Sequence, residues 1–147
     1  MLRFFDPTDE FLDWLAAHAV GKVRRLVFDV GCGEGHLVRQ LRGRGVPAVG
    51  VDPRYQYQTV PPELVSAILP FEAQECKALH RCGGSLILFC RPCHSGFVGE
   101  TIPLLHPTAE VLYVSKEENV RMDLDGFEWE EVESPPCPIE RVYRVRR

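Results

Sequence analysis

Apolar runs alternate with amphipathic stretches along this chain, and each kind predicts a different element. Short apolar runs bounded by turn-forming or polar residues are typical of strands buried on both faces of a parallel sheet. Stretches with apolar residues on one side at helical spacing, ended by glycine, predict short helices. The predicted strands are residues 26–30, 47–51, 85–91 and 110–115, and the predicted helices are residues 7–18, 35–42 and 72–82.

The ends of the chain add two more signals. Asp6 before Pro7 predicts the N-cap and first position of the first helix. Residues 127–133 alternate in polarity, residues 139–145 do so less cleanly, and the proline-rich segment 134–138 between them predicts a turn. Strands that alternate with helices and end in a hairpin predict an α/β three-layer sandwich, with a mostly parallel sheet and a C-terminal antiparallel hairpin.

Three segments give weaker patterns. Residues 54–62 are polar and aromatic and predict a loop, whereas residues 63–71 suit a short helix or a short strand equally well. Residues 96–106 predict a helix broken by glycine and proline, and residues 116–124 predict either a short helix or a loop.

Length and charge narrow the class of protein. The chain has 147 residues, which predicts a single domain over 1–147. With 17 basic and 21 acidic residues, its net charge of −4 argues against a nucleic-acid partner. Its apolar runs are too short for a membrane span. Two arginine clusters are interpreted as solvated faces rather than binding sites: Arg24, Arg25, Arg39, Arg42 and Arg44, and Arg141, Arg144, Arg146 and Arg147.

The six cysteines predict reduced thiols in the cytoplasm, since the N-terminus shows no export signal. Cys90, Cys93 and His94 match the pattern for c-type haem attachment, but that chemistry requires export. The spacing of cysteine and histidine between residues 76 and 94 is irregular for a zinc site. We therefore predict no metal.

The most informative segment runs from Asp29 to His36 and reads DVGCGEGH. It leaves a predicted strand and opens a predicted helix, and glycines at alternate positions let a ligand approach the backbone closely. Asp52 ends the next strand, where a carboxylate can accept the hydroxyls of a ribose. The acids Asp29 and Glu34 would repel a phosphate, so the loop suits a cationic amine or sulfonium.

At these residues the chain resembles the class I S-adenosylmethionine-dependent methyltransferases. VFDVGCGEG is similar to the first motif of that family and VGVDP to its second, so the resemblance is specific over residues 26–53. DLDGFEWEEVE resembles the approach to the family's final hairpin. The resemblance implies a Rossmann-like fold, S-adenosylmethionine as cofactor and methyl transfer as activity. The cofactor-binding residues it implies are Asp29, Gly31, Cys32, Gly33, Glu34, Gly35, Asp52 and Pro53.

The acceptor side is predicted at the end of the strand 85–91, because ligands bind at the carboxyl ends of parallel strands. There His94 is the candidate general base, and Arg91 could orient an anionic group of the substrate. The family's Asn/Asp-Pro-Pro-aromatic tetrad is absent at this place, which argues against methylation of nucleic-acid bases. The methyl acceptor itself is not identified by any motif.

The chain departs from the family in its length. Family members are longer, and the region after Asp52 is too short for a normal crossover helix and lacks the family's adenine-binding acid. Adenine is expected against Tyr55, Ile68 or Phe71 instead. An alternative function follows: a non-catalytic S-adenosylmethionine-binding module or partner subunit. Exposed apolar surface over residues 61–71 would favour a homodimer or a protein partner.

Overall fold

A sheet with helices on both faces forms the body of the molecule. The computed structural model describes residues 5–21, 23–53, 60, 62–92, 96–137 and 139–147. The strands are β1 (Val27–Val30), β2 (Ala48–Val51), β3 (Ile68–Leu69), β4 (Leu86–Cys90), β5 (Glu110–Ser115), β6 (Trp129–Val132) and β7 (Arg141–Val145). The α-helices are α1 (Asp9–Val20), α2 (His36–Gly43), α3 (Lys77–Arg81), α4 (Gly96–Thr101) and α5 (Glu117–Asp123). Short 3-10 helices cover Pro62–Ala67, Ala73–Glu75 and Ile102–Leu104.

Within these described residues the seven strands lie in the order β3-β2-β1-β4-β5-β7-β6. The first five are parallel, and β7 runs antiparallel to both β5 and β6. This arrangement confirms the predicted α/β fold with its C-terminal antiparallel hairpin. It also brings the carboxyl ends of β1, β2, β4 and β5 to one edge of the sheet, called the carboxyl edge below.

Alternation along the central strands builds a core on each face of the sheet. On β4, Leu86 and Leu88 join the cluster that packs against α1 and α2, while Ile87 and Phe89 join the cluster that packs against α4 and α5. All four side chains are fully buried. A strand buried on both faces reads as a continuous apolar run, which is why the sequence signalled β4 so clearly.

Local capping differs from the sequence prediction at the first helix. Asp6 was expected as the N-cap, but α1 begins two residues later, where the Thr8 hydroxyl accepts a hydrogen bond from the Phe11 N–H at 3.1 Å. Thr8 has the better geometry because its backbone is extended just before the first helical residue. Gly21 ends the helix, as predicted, with its N–H bonded to the carbonyl of Ala17.

The ambiguous segment 63–71 contains both predicted alternatives in succession. The 3-10 helix Pro62–Ala67 leads directly into β3, which pairs with β2 over two residues. Residues 116–124 hold the helix α5 rather than a loop. The predicted loop 54–62 falls mostly outside the described residues. In the part of the chain that is described, no helix has the length and apolar character to cross a membrane.

All nine arginines of the two clusters are engaged within the molecule. Each donates to a carboxylate or to a backbone carbonyl; Arg44, for example, bonds Asp13, and Arg147 bonds the carbonyl of Leu105. These side chains therefore hold elements together, and six of the nine are paired with carboxylates: Arg25, Arg39, Arg44, Arg141, Arg144 and Arg146.

Glu110, at the amino ends of the parallel strands, accepts hydrogen bonds from two of these arginines and one histidine. Its carboxylate accepts from His18, Arg25 and Arg144, each at 2.8 Å, so it joins α1, the start of β1, β5 and β7. Burial alone would raise the pKa of Glu110, but these three hydrogen bonds outweigh it and lower the pKa to about 2.

We expect Glu110→Gln to lower the free energy of unfolding at pH 7 by about 3 kcal/mol, because the folded state holds the ionised carboxylate more favourably than the unfolded chain does. In the wild type this stabilisation is present above the unfolded pKa near 4.5 and is lost as the pH falls towards 2. Urea unfolding between pH 7 and pH 2.5 checks both points. Glu131→Gln, which breaks the exposed pair with Arg141, is the control and should cost under about 1 kcal/mol.

Candidate functional site

The glycine loop between β1 and α2 lies at the carboxyl edge of the sheet. Gly31, Gly33 and Gly35 have φ angles of 80°, 57° and 84°, a region that side chains with a Cβ rarely adopt. The Gly31 N–H donates to the carbonyl of Val51 at 2.7 Å, which joins the start of the loop to the end of β2. The three glycines are thus required by the backbone conformation.

Asp52 fixes the middle of this loop. One carboxylate oxygen accepts a hydrogen bond from the Gly33 N–H at 2.7 Å, and the side chain is buried. The Asp52 N–H donates to the carbonyl of Leu69, so the residue is also joined to β3. A carboxylate has about four acceptor positions, so it can accept hydrogen bonds from several donors at once. Pro53 follows directly and is partly exposed.

Cys32 is a packing residue beneath the loop. Its thiol lies against Gly50 on β2, where a Cβ on residue 50 would overlap the sulfur. Burial raises the pKa of the Cys32 thiol far above its usual range, and the carboxylates of Asp29 and Asp52 raise it further. The neutral thiol therefore supports the loop from within.

Asp29 is a buried carboxyl group at this edge. It belongs to β1, and it is 4% exposed. Among the residues that the structure describes, its carboxylate has no hydrogen-bond or ion-pair partner. Burial raises the pKa of Asp29 to about 7, and the nearby charge of Asp52 adds to the effect. Such a group favours a cationic ligand, because a positive charge close by would stabilise its ionised form.

Other side chains complete the surroundings of the loop. Glu34 carries a buried carboxylate oxygen without a hydrogen-bond partner among the described residues. A Cβ on Gly35 would lie 3.2 Å from both Ile68 and Leu64, so this end of the loop rests on apolar side chains. Phe71, another candidate for the adenine, is half exposed, whereas Tyr55 lies outside the described residues.

Phe97 is a neighbour of the loop that the sequence analysis did not identify. Its ring tip lies 3.6 Å from the position that a Cβ on Gly31 would take, and the ring also packs against Phe89. Phe97 belongs to the first turn of α4, which follows β4. A single aromatic residue in a broken helix carries no sequence signal that would single it out.

Arg91 and Glu140 form an ion pair at the end of β4. The Arg91 guanidinium lies 3.3 Å from a carboxylate oxygen of Glu140, whose side chain is 5% exposed. Arg91 has a φ angle of 46° and its N–H donates to the carbonyl of Val114 at 2.7 Å. Glu140 was also missed by the sequence analysis, because it follows a proline-rich turn far from β4 in the chain. The predicted base His94 lies outside the described residues.

Among the described residues, no group of three or more His, Cys, Asp or Glu side chains is arranged to hold a metal ion. Cys93 and His94, which belonged to the zinc alternative, lie outside those residues.

Comparison with known proteins adds the class of fold. A scan against protein-family models gives no match to the sequence, and a search of curated proteins gives none either. Solved structures do match. The 23S rRNA methyltransferase ErmE superposes with a TM-score of 0.65 at 19% identity, over 99% of this chain and 70% of that one.

Two further structures give the same result. A putative type 11 methyltransferase from Sulfolobus solfataricus has a TM-score of 0.65 at 14% identity, over 95% of this chain and 94% of that one. Magnesium protoporphyrin IX methyltransferase (ChlM) from Synechocystis PCC 6803, solved with bound SAM, has a TM-score of 0.54 at 19% identity. The match covers 92% of this chain and 78% of that one. The chain has the Rossmann-like fold of the class I S-adenosylmethionine-dependent methyltransferases, which confirms the fold that the sequence resemblance implied.

We expect Asp29→Asn to stabilise the ligand-free protein at pH 8 by up to about 4 kcal/mol. Because the folded pKa of Asp29 is about 7 and the unfolded value is 3.8, wild-type stability from this group declines as the pH rises between those values. The asparagine cannot ionise, so the variant does not lose stability as the pH rises. Urea unfolding at pH 3.5 and pH 8 is the measurement; a difference between the proteins that is the same at both pH values would contradict the assignment.

Gly50→Ala is expected to displace Cys32 and with it the glycine loop. The new methyl group would overlap the Cys32 sulfur and lie 2.9 Å from its Cβ, and such overpacking costs about 1–3 kcal/mol of stability. Thermal unfolding measures the loss. Adding Cys32→Gly removes both clashing atoms, and failure of this double variant to recover part of the loss would show that the clash is not the cause.

Proposed function

We propose that this chain is an S-adenosylmethionine-dependent methyltransferase that transfers the sulfonium methyl group to an acceptor not yet identified. The observation that carries the proposal is Asp29, a buried carboxylate at the carboxyl edge with no described partner. The methyltransferase fold and the glycine loop bounded by Asp52 support it. Free thiols at the five described cysteines support a reducing compartment, the cytoplasm.

The residues present fit this cofactor. S-adenosylmethionine carries a cationic amine and a sulfonium, and Asp29 is the acid that a cation would compensate. Asp52 offers acceptor oxygens at the end of β2 for a ribose, and the glycine loop, with Glu34 and Pro53 beside it, leaves its backbone open to close approach. Phe71, which is half exposed, gives apolar surface for an adenine on the β3 side, whereas Ile68 is buried against Gly35 of the loop.

Each of these residues would act mainly by positioning. The bonds from Gly33 to Asp52 and from Gly31 to Val51 fix the loop before any ligand arrives. The loop therefore loses little conformational entropy on binding. When bound, S-adenosylmethionine supplies an electrophilic methyl group, which passes to a nucleophile and leaves S-adenosylhomocysteine. Many such transfers need only alignment of the nucleophile with the sulfonium. His94 is the candidate base where a proton must be removed from the acceptor.

Calorimetric titration with S-adenosylmethionine and S-adenosylhomocysteine tests the cofactor site. We expect micromolar binding by the wild type and at least about tenfold weaker binding by Asp52→Ala, because the hydrogen bonds to the ribose and the anchor of Gly33 are lost together. Asp13→Ala is the matched control, because it removes from α1 an exposed carboxylate that is paired with Arg44. This variant should bind as the wild type does.

The pH dependence of the same titration isolates Asp29. Affinity of the wild type for S-adenosylmethionine should rise between pH 6 and pH 8 as this carboxyl ionises near pH 7, whereas Asp29→Asn should bind weakly with a flat profile. A folded wild type that binds neither compound, or an Asp52→Ala variant with undiminished affinity, would refute the proposed function.

A second candidate function is a cofactor-binding subunit that a partner protein completes. The observation that favours it is exposed apolar surface beside β3, where Val65 and Phe71 are each 49% exposed. Binding of S-adenosylmethionine without methyl transfer to any acceptor offered would favour this candidate over an independent enzyme.

A further inference from the structure

Arg91 and Glu140 form an ion pair at the carboxyl edge of the sheet. Glu140 is nearly excluded from solvent, and its second carboxylate oxygen accepts from the N–H of Ile139 at 3.3 Å. A buried carboxylate needs a cation close by, so Arg91 is committed to Glu140. The positive φ angle of Arg91 and the bond of its N–H to Val114 hold the residue in the orientation that makes the pair.

This pair stands beside the region where methyl transfer would take place. On the parallel register, Asp29 lies opposite Leu88, and Arg91 follows three residues later at the same edge. Desolvation raises the pKa of the Cys90 thiol, and the charges of Asp29 and Glu140 raise it further, so both carboxylates act on the end of β4. The ion pair therefore lies at the edge of the sheet where an acceptor would meet the cofactor of the proposed function.

Among the described residues of this place, no free cation is offered to an anion. The positive charge of Arg91 is neutralised by Glu140, and Asp29 is the residue that the cation of the cofactor would compensate. We infer that the acceptor presents a neutral or cationic nucleophile, such as an amine or a hydroxyl without an adjacent carboxylate or phosphate, and that Glu140 sets this preference by occupying Arg91. The inference rests on the proposed function and names the chemical class of its substrate.

The test uses cofactor analogues with an arm that reaches the acceptor space, so that no acceptor need be known. In these probes a nitrogen replaces the sulfonium sulfur, and a three-carbon arm ending in ammonium, hydroxyl or carboxylate replaces the methyl group. Calorimetry on the wild type should show the carboxylate arm binding at least about tenfold more weakly than the other two.

Glu140→Gln should release Arg91 and remove that gap, because the free guanidinium can then pair with the carboxylate arm. Affinity for S-adenosylhomocysteine, which has no arm, should stay unchanged. The double variant Arg91→Gln/Glu140→Gln should bind the carboxylate arm weakly again. Glu130→Gln is the matched control, since it removes from the same hairpin one carboxylate that pairs with Arg144 and Arg146 and not with Arg91; it should keep the wild-type order.

The outcomes separate the two levels of the proposal. Binding of S-adenosylhomocysteine together with equal or tighter binding of the carboxylate arm by the wild type would overturn the inference and leave the proposed function standing. An unchanged order of arms in folded Glu140→Gln would overturn the role of Glu140. Absence of S-adenosylhomocysteine binding by the folded wild type would refute the proposed function, and the inference with it.

Discussion

The hydrogen bond from the N–H of Gly33 to the carboxylate of Asp52 is the interaction on which the arrangement of the loop most depends. It joins the turn after one strand to the end of the next, and so converts two neighbouring strand ends into one rigid rim. The parallel sheet makes the bond available, because β1 and β2 pair in a register that ends both strands at the same level. A charge-assisted bond to a buried carboxylate is stronger than one between neutral groups, which suits an anchor for a glycine-rich loop that lacks side chains of its own.

Charge is distributed unevenly between the two edges of the sheet. At the amino ends, Glu110 satisfies one histidine and two arginines, and the surrounding arginines bond carboxylates or carbonyls. At the carboxyl edge, Asp29 is a buried carboxylate with no partner among the described residues, and burial raises its pKa. One edge therefore stabilises the fold, whereas Asp29 lowers stability once it ionises. Such a loss of stability is common where buried titratable groups serve binding rather than folding.

Sequence reasoning was sufficient to predict the central strands of the sheet and the glycine loop between β1 and α2. Apolar runs identified β1, β2, β4 and β5, because strands buried on both faces need no partner information to be recognised. It failed for contacts made across the chain: Glu140 reaches Arg91 from 49 residues away, and Phe97 meets Gly31 only once α4 is folded against the sheet. It also misplaced the first N-cap, where Thr8 and Asp6 are both suitable residue types and only the backbone conformation decides between them.

The shortness of β3 has a consequence for ligand entry. Two residue pairs join it to β2, so this margin of the sheet opens at a lower free energy than the central strands and should exchange its amide hydrogens sooner. The Asp52 N–H is bonded to the carbonyl of Leu69 at the end of the same strand. Fraying of β3 therefore loosens the anchor of the glycine loop, and a ligand held by Asp52 would slow hydrogen exchange in a strand that it need not touch.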